Sequence, residues 1–223
     1  MAKVSSESKR KRGFCFFCGV LLILLLAPPA FAQTGSKPPP TSVEYLQYGV
    51  SLHTLTLLDG GAVCPEGAQT PCIVGSGGGL GLRIGYRARG PFYAGASFQL
   101  SRLNSSSLLR LGIMQRLTAD GRYYFERGTR LTPYLQASFG GAIYGNEWGA
   151  STGGIALGLG VGLEYQITAT TVLAVVPTYQ PVAFRHWRDA TGQLRADGPL
   201  GFGVAHWLAV QVVIEARDPL LRW

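Results

Sequence analysis

The sequence predicts an all-β fold: an eight-stranded antiparallel up-and-down transmembrane β-barrel, exported behind a cleaved signal peptide. Three observations carry the prediction. A basic start and an apolar run lead into a small-residue motif near the N-terminus. Beyond it, eight segments alternate apolar with polar or glycine residues at period two. Within the most regular of them, every charged side chain falls on the non-apolar side.

The N-terminal elements come first. Lys3, Lys9, Arg10, Lys11 and Arg12 precede the apolar run from Phe14 to Ala27, and Ala30-Phe31-Ala32 places small residues where a signal peptidase reads. The run is shorter than the ~18–20 residues a helix needs to cross a bilayer, so cleavage after Ala32 is expected rather than retention as an anchor. Cys15 and Cys18 lie inside this segment without the pattern of a lipoprotein signal. The expected division is residues 1–32 signal peptide, 33–42 a Pro-rich leader containing Lys37-Pro38-Pro39-Pro40, 43–217 the barrel, and 218–223 a C-terminal tail ending in Trp223.

Export changes the meaning of the charge. The whole chain carries 20 Lys+Arg and 12 Asp+Glu, but residues 1–32 hold five of the former and one of the latter. The mature part is left with a formal +4 (15 − 11), so a nucleic-acid partner loses its electrostatic support. Cys64 and Cys72 bracket a turn-rich stretch, and in an oxidising compartment they read as a disulfide closing a loop. No second Cys or His pair stands near them at ligand spacing, so neither metal nor cofactor is expected.

Five segments alternate cleanly. Residues 80–88 set Leu80, Leu82, Ile84 and Tyr86 against Gly81, Arg83, Gly85 and Arg87. Residues 92–100 set Phe92, Ala94, Ala96 and Phe98 against Tyr93, Gly95, Ser97 and Gln99. Residues 109–125 oppose Leu111, Leu117, Tyr123 and Phe125 to Arg110, Arg116, Asp120 and Arg122. Residues 155–167 place Leu157, Leu159 and Val161 against Gly158, Gly160, Gly162 and Glu164, and residues 202–216 place Val210, Val212 and Ile214 against Trp207, Gln211 and Glu215. Residues 43–58, 131–145 and 171–184 are less regular, the last two being interrupted by Pro133 and Pro177, which cannot donate to a ladder.

Alternation alone also suits a soluble sheet, so residue size and length decide which side is dry. Strands of soluble domains average about 5–6 residues, whereas a membrane-crossing strand needs roughly 9–11. The clean segments have that greater length, and their polar side is crowded with glycine, as the narrow interior of a small barrel requires. Arg83, Arg87, Arg110, Arg116, Asp120, Arg122, Glu164 and Glu215 are therefore assigned to a polar network in the lumen. Each charge would cost about 2–4 kcal/mol on the lipid side at mid-membrane. No lysine follows Lys37, and Tyr86, Phe92, Tyr123, Phe125 and Tyr165 stand at segment ends, where aromatic girdles meet the bilayer interfaces.

The expected connections are 59–79 (long), 89–91 (tight), 101–108 (medium), 126–130 (tight), 146–154 (medium), 168–170 (tight) and 185–201 (long). Long outer loops alternating with short periplasmic turns are the pattern of bacterial barrels. A helical alternative, with 199–214 as its best segment, is too short and contains His206 and Gln211. On signal, alternation and loop pattern, residues 43–217 resemble the small eight-stranded outer-membrane barrels of the OmpA/OmpX-like group. The resemblance implies residence in the outer membrane of a Gram-negative bacterium, contact with its lipid and lipopolysaccharide, and handling by the barrel-assembly machinery. That machinery reads a terminal aromatic in such families; here Trp223 is separated from the last segment by Asp218-Pro219.

Chemistry is sparse. His53 reads as a lumen or rim residue. His186 sits in Phe184-Arg185-His186-Trp187-Arg188, where Arg185 and Arg188 could contact lipopolysaccharide phosphates, although a plain interfacial anchor is the preferred reading. His206 shares its side with Val204 and Leu208, facing lipid. In this it resembles the lipid A deacylases, but their serine two residues on is replaced by Leu208. The glycine runs 75–79 and 158–162 lack the strand–loop–helix setting and the Lys-(Ser/Thr) of a phosphate loop. The expectation is a monomeric, non-enzymatic outer-membrane barrel whose lumen is filled by side chains and which serves a structural or surface-interaction role. A lipid-modifying enzyme and a soluble β-barrel holding an apolar ligand are the alternatives.

Overall fold

A computed structural model describes residues 44–220 apart from 65–71, 107, 126–128, 148, 189–191, 193 and 199. The expected signal peptide, the Pro-rich leader and Trp223 lie outside the described residues. Eight long strands form: β1 (Tyr45–Asp59), β2 (Gly77–Arg87), β3 (Phe92–Leu103), β4 (Gly112–Tyr124), β5 (Leu131–Asn146), β6 (Gly149–Gln166), β7 (Thr171–Arg185) and β10 (Phe202–Pro219). Two short strands, β8 (Trp187–Arg188) and β9 (Leu194–Arg195), pair with each other inside the last loop. The long strands close a barrel in the order β1-β10-β7-β6-β5-β4-β3-β2, every pair antiparallel.

The register fixes the barrel's shape. A path through paired residues from Leu55 passes Ala209, Thr178, Gly160, Gln136, Arg122, Tyr93 and Arg87 and returns to β1 at Tyr45, ten residues from its start. Eight strands with a shear of ten tilt by about 40° at ordinary strand spacings, which leaves an interior that side chains can fill.

The two faces follow the sequence alternation. Leu52, Leu80, Leu82, Leu117, Phe139, Leu157, Leu159, Val212 and Ile214 point outward and are exposed. Tyr48, Tyr86, Phe92, Tyr123, Phe125 and Tyr165 ring the end at which the chain enters β1, with Phe92, Tyr123 and Phe125 packed edge to face at 5.4 and 5.2 Å. Inside, Gln47, His53, Arg83, Gln99, Arg116, Arg122, Gln136, Glu164, Gln180, Gln211 and Glu215 are buried. Leucine outward and arginine inward is favourable where the surroundings are hydrocarbon rather than water.

The connections at the girdle end are tight. Residues 88–91 turn at Gly90 (φ 100°), a left-handed conformation that glycine adopts without strain. The 167–170 turn is held by the Thr168 hydroxyl, which accepts from the amides of Thr170 and Thr171 at 3.2 and 3.0 Å. The longer loops, before β2, β4 and β10, fall at the opposite end.

Three details differ from the sequence reading. Residues 146–154 are not a medium loop: β5 and β6 run up to a tight turn, with Asn146 paired to Gly149 and Glu147 at φ 54°. Gly149, Gly153 and Gly154 read as loop, yet the pairing of Ala142 with Gly154 and Tyr144 with Thr152 draws them into strand. In the opposite sense, residues 109–111 leave the strand. Ser105 Oγ accepts from the Leu109 amide at 3.3 Å, and Asn146 Oδ1 accepts from the Leu111 amide at 3.2 Å, so a loop turn replaces the start of the expected segment. At the C-terminus β10 continues through Asp218-Pro219, pairing them with Leu46 and Tyr45, so those two residues belong to the strand and not to the tail. In β6–β7 bridging pairs are missing at residues 157–158 and 161–162, opposite Pro181 and Pro177, each of which lacks an N–H; the break at Pro177 is the one the sequence predicts.

Candidate functional site: the lumen and its two ends

In the half of the lumen nearer the aromatic girdle, arginines and carboxylates cross the barrel. Arg122 of β4 donates to Glu215 of β10 through Nη1 (2.9 Å) and Nη2 (2.7 Å). These strands are four positions apart on an eight-membered ring, so the pair spans the full diameter. Arg87 of β2 and Glu164 of β6, also four positions apart, approach to 3.5 Å. Gln47 donates to Glu215, Arg217 donates to Glu164, and Arg83 stands 3.7 Å from Glu215. Tyr124 adds a hydrogen bond to Glu164 at 3.3 Å. Aromatic faces complete the shell: Arg87 lies 3.8 Å over the Tyr124 ring and Arg122 lies 4.3 Å over Tyr93.

Farther up, the polar contacts are smaller. Arg116 donates to Gln180, Thr118 donates to Asp120 at 3.1 Å, and His53 Nε2 meets Ser101 Oγ at 2.7 Å. Seven of the eight residues assigned to a lumen network from the sequence thus lie inside: Arg83, Arg87, Arg116, Asp120, Arg122, Glu164 and Glu215. Arg110 does not. It sits in the loop before β4, its side chain 86 % exposed, and pairs with Glu147 at 3.2 Å. Arg217 was missed, although it continues the inward row two residues beyond Glu215 and its guanidinium is buried between Glu164 and Gln47. The tyrosines of the shell were also missed, because an inward tyrosine looks like any other polar-side residue in a sequence.

The loop end is apolar inside. Leu55, Leu103, Met114, Tyr144, Phe184 and Trp207 line the mouth, and Val63, Ile73 and Val74 from the first loop, with Trp187 and Ala196 from the last, pack among them. Trp207 Nε1 donates to the Gly75 carbonyl at 3.1 Å, and the Ala196 amide donates to Ala62 at 3.1 Å, joining the two loops. Cys64 and Cys72 are joined by a disulfide, with Cα atoms 4.9 Å apart. It closes the base of the first loop beside the segment that enters the mouth.

On the outer surface, His206 faces outward as expected, and its Nδ1 lies 2.6 Å from the Tyr179 hydroxyl, the two rings stacked at 5.8 Å. Arg185 and Arg188 are exposed above it, and Arg188 donates to the Gly192 carbonyl at 3.1 Å.

No family model and no curated protein matches the chain. Solved structures do. The outer membrane protein AlkL, determined in lipid bilayers, is matched at 14 % identity over 89 % of this chain and 99 % of its own, with a TM-score of 0.51. The fold is that of the small eight-stranded outer-membrane barrels. OprG from Pseudomonas aeruginosa (13 % identity; 83 % of this chain, 98 % of that one; TM-score 0.49) and Neisserial surface protein A (16 %; 78 % and 97 %; 0.47) are also similar. At these identities the likeness extends to the fold. The apolar outer belt and the aromatic girdle of this barrel suit it to the bacterial outer membrane on their own physics.

Proposed function

We propose that this protein is a closed, non-enzymatic outer-membrane barrel, acting through its envelope position and its surface rather than as an open pore. The observation that carries the reading is the occupancy of the lumen at two levels. Two ion pairs span the diameter in one half, and the apolar packing of Val63, Ile73, Val74 and Trp187 fills the mouth in the other. The interior of an eight-stranded barrel is just wide enough for side chains to fill, which argues against a wide aqueous passage. The test is conductance. Protein folded into planar bilayers should show no stepwise channels, and vesicles containing it should not swell in sugar solutions; porin-like rates would refute the closed lumen.

Insertion by the barrel-assembly machinery, a monomeric state and contacts of Arg185 and Arg188 with lipopolysaccharide phosphates belong to the same reading. For the lipid-facing His206, the observed partner is the Tyr179 phenol rather than a serine hydroxyl two residues away, where Leu208 stands. That favours an interfacial anchor over the base of a lipid hydrolase. Lipid A from cells with and without the gene should give the same mass spectrum, and a lost or gained acyl chain would restore the enzyme reading.

A further inference from the structure

The outward row of β3 reads Phe92, Ala94, Ala96, Phe98, Leu100 and then Arg102. The first five positions face the membrane, and the sixth is a guanidinium with no partner among the described residues. By register and strand tilt, Arg102 stands at about the height of His206 on the far wall, the level at which the apolar belt ends. Beside it the β3–β4 loop folds over a groove of about 500 Å³. Ser76, Gly77 and Gly78 line one side, Asn104 and Ser105 the loop, and Arg102 and Arg110 supply two positive charges. Among the described residues no Asp or Glu lines it, but Glu147 at its edge pairs with Arg110 at 3.2 Å, so Arg102 carries the unpaired charge. Directly below, Leu80, Phe98 and Leu117 are exposed on the belt.

We infer that this groove binds the phosphate of an outer-leaflet lipid headgroup, with Arg102 as the principal ligand and the acyl chains lying on Leu80, Phe98 and Leu117. The unpaired Arg102 guanidinium fits an anion, since its planar fork pairs two phosphate oxygens at once. Continuity with the belt selects a lipid over a soluble anion: a charge at the end of a membrane-facing row meets headgroups first. This site lies on β3, four strands round the ring from the β7 arginine Arg185, and is separate from it.

The test uses the full mature chain folded into phosphatidylcholine vesicles with and without lipid A, extracted in mild detergent and weighed intact to count retained lipid. Wild type should keep lipid A and release dephosphorylated lipid A, a comparison that needs no variant. Arg102→Gln should reduce retention by roughly tenfold, while Arg89→Gln, a charge loss at the opposite end, should not. Gel mobility before and after boiling shows that each variant is folded. Equal retention by Arg102→Gln, or equal retention of dephosphorylated lipid, overturns the site. Complete displacement by inorganic phosphate would identify a free-anion site and overturn the lipid assignment. A folded, non-conducting barrel with no lipid specificity would sink this inference and leave the closed-lumen reading standing.

Discussion

Arg122 and Glu215 stand on opposite walls of the barrel and meet near its axis through two hydrogen bonds of 2.9 and 2.7 Å. The geometry is a fork on a carboxylate, the arrangement in which an ion pair best offsets the desolvation of both partners. Arg122 also donates to the Tyr124 hydroxyl of its own strand at 3.2 Å, but its counter-charge comes from the opposite wall, so the pair ties β4 to β10 across the lumen as well as through the chain of intervening ladders.

Removing one partner leaves the other buried and uncompensated. Arg122→Ala should therefore destabilise the folded barrel by about 3–5 kcal/mol, and Arg122→Lys by less, because the fork and not the charge is lost. Replacing both Arg122 and Glu215 with methionine should cost less than the two single changes summed. Urea unfolding from lipid bilayers measures all three. An Arg122→Ala midpoint no lower than that of the exposed Arg89→Ala would refute the role given to the pair.

Which face meets hydrocarbon is testable at adjacent residues. Leu82 is 59 % exposed in the middle of the outer belt, while its neighbour Arg83 points inward and is buried. An arginine at Leu82 should cost about 2–4 kcal/mol of folding into bilayers, as expected for a charge near the midplane. The penalty should shrink when folding is measured in detergent micelles, which deform around a charge. If Leu82→Arg folds into bilayers as readily as wild type, the outer face is not in lipid.

The strands were legible because alternation and residue size acted together: along the belt leucine lies outside, while glycine and the charged residues lie on the lumen side. The ends of strands were not, since parity continues through a sequence whether or not the backbone does. It ran on to Arg110, where Ser105 had already turned the chain into a loop, and it was stopped before Arg217, where pairing with Gln47 carries the strand onward. The glycines of 149–154 illustrate the same limit, as their pairing partners on β5 are not visible from composition. The apolar mouth was hidden for another reason. Val63, Ile73 and Val74 belong to a loop that a sequence assigns to water, and only the closed ring shows that they have an interior to enter. Pairing of Arg122 with Glu215 was beyond reach because it depends on strand order and shear, not on either strand alone.

The disulfide offers a way to separate mouth from wall. A closed loop of this size restricts the unfolded chain by about 2.5 kcal/mol in the loop-entropy account. Here it anchors the loop whose Ile73 and Val74 pack into the mouth. Cys64→Ser with Cys72→Ser should leave the wall intact, so the boiling-dependent mobility shift should persist. The first loop should become sensitive to protease added from the loop side, at a rate several-fold above wild type. Loss of the mobility shift would mean that the loop is required for the barrel itself; unchanged protease resistance would mean that the disulfide does not hold the loop.

Gly162 gives the sharpest test of interior packing. It lies on β6 beneath the ring of Tyr134, and a Cβ added there would enter that ring. Tyr134 cannot simply move, since it packs on Tyr124 at 5.0 Å and is faced by the Arg122 guanidinium at 5.3 Å. Gly162→Ala should therefore lose about 1–3 kcal/mol through overpacking, and Tyr134→Ala about 3–5 kcal/mol through the cavity it leaves. The double substitution should be more stable than the sum of the two, because the new methyl occupies part of the space the ring vacates. Gly121→Ala is the control: a Cβ there meets nothing within 4 Å, and it should be close to neutral. Strict additivity of the Gly162 and Tyr134 changes in urea unfolding would show that the two residues do not share this space.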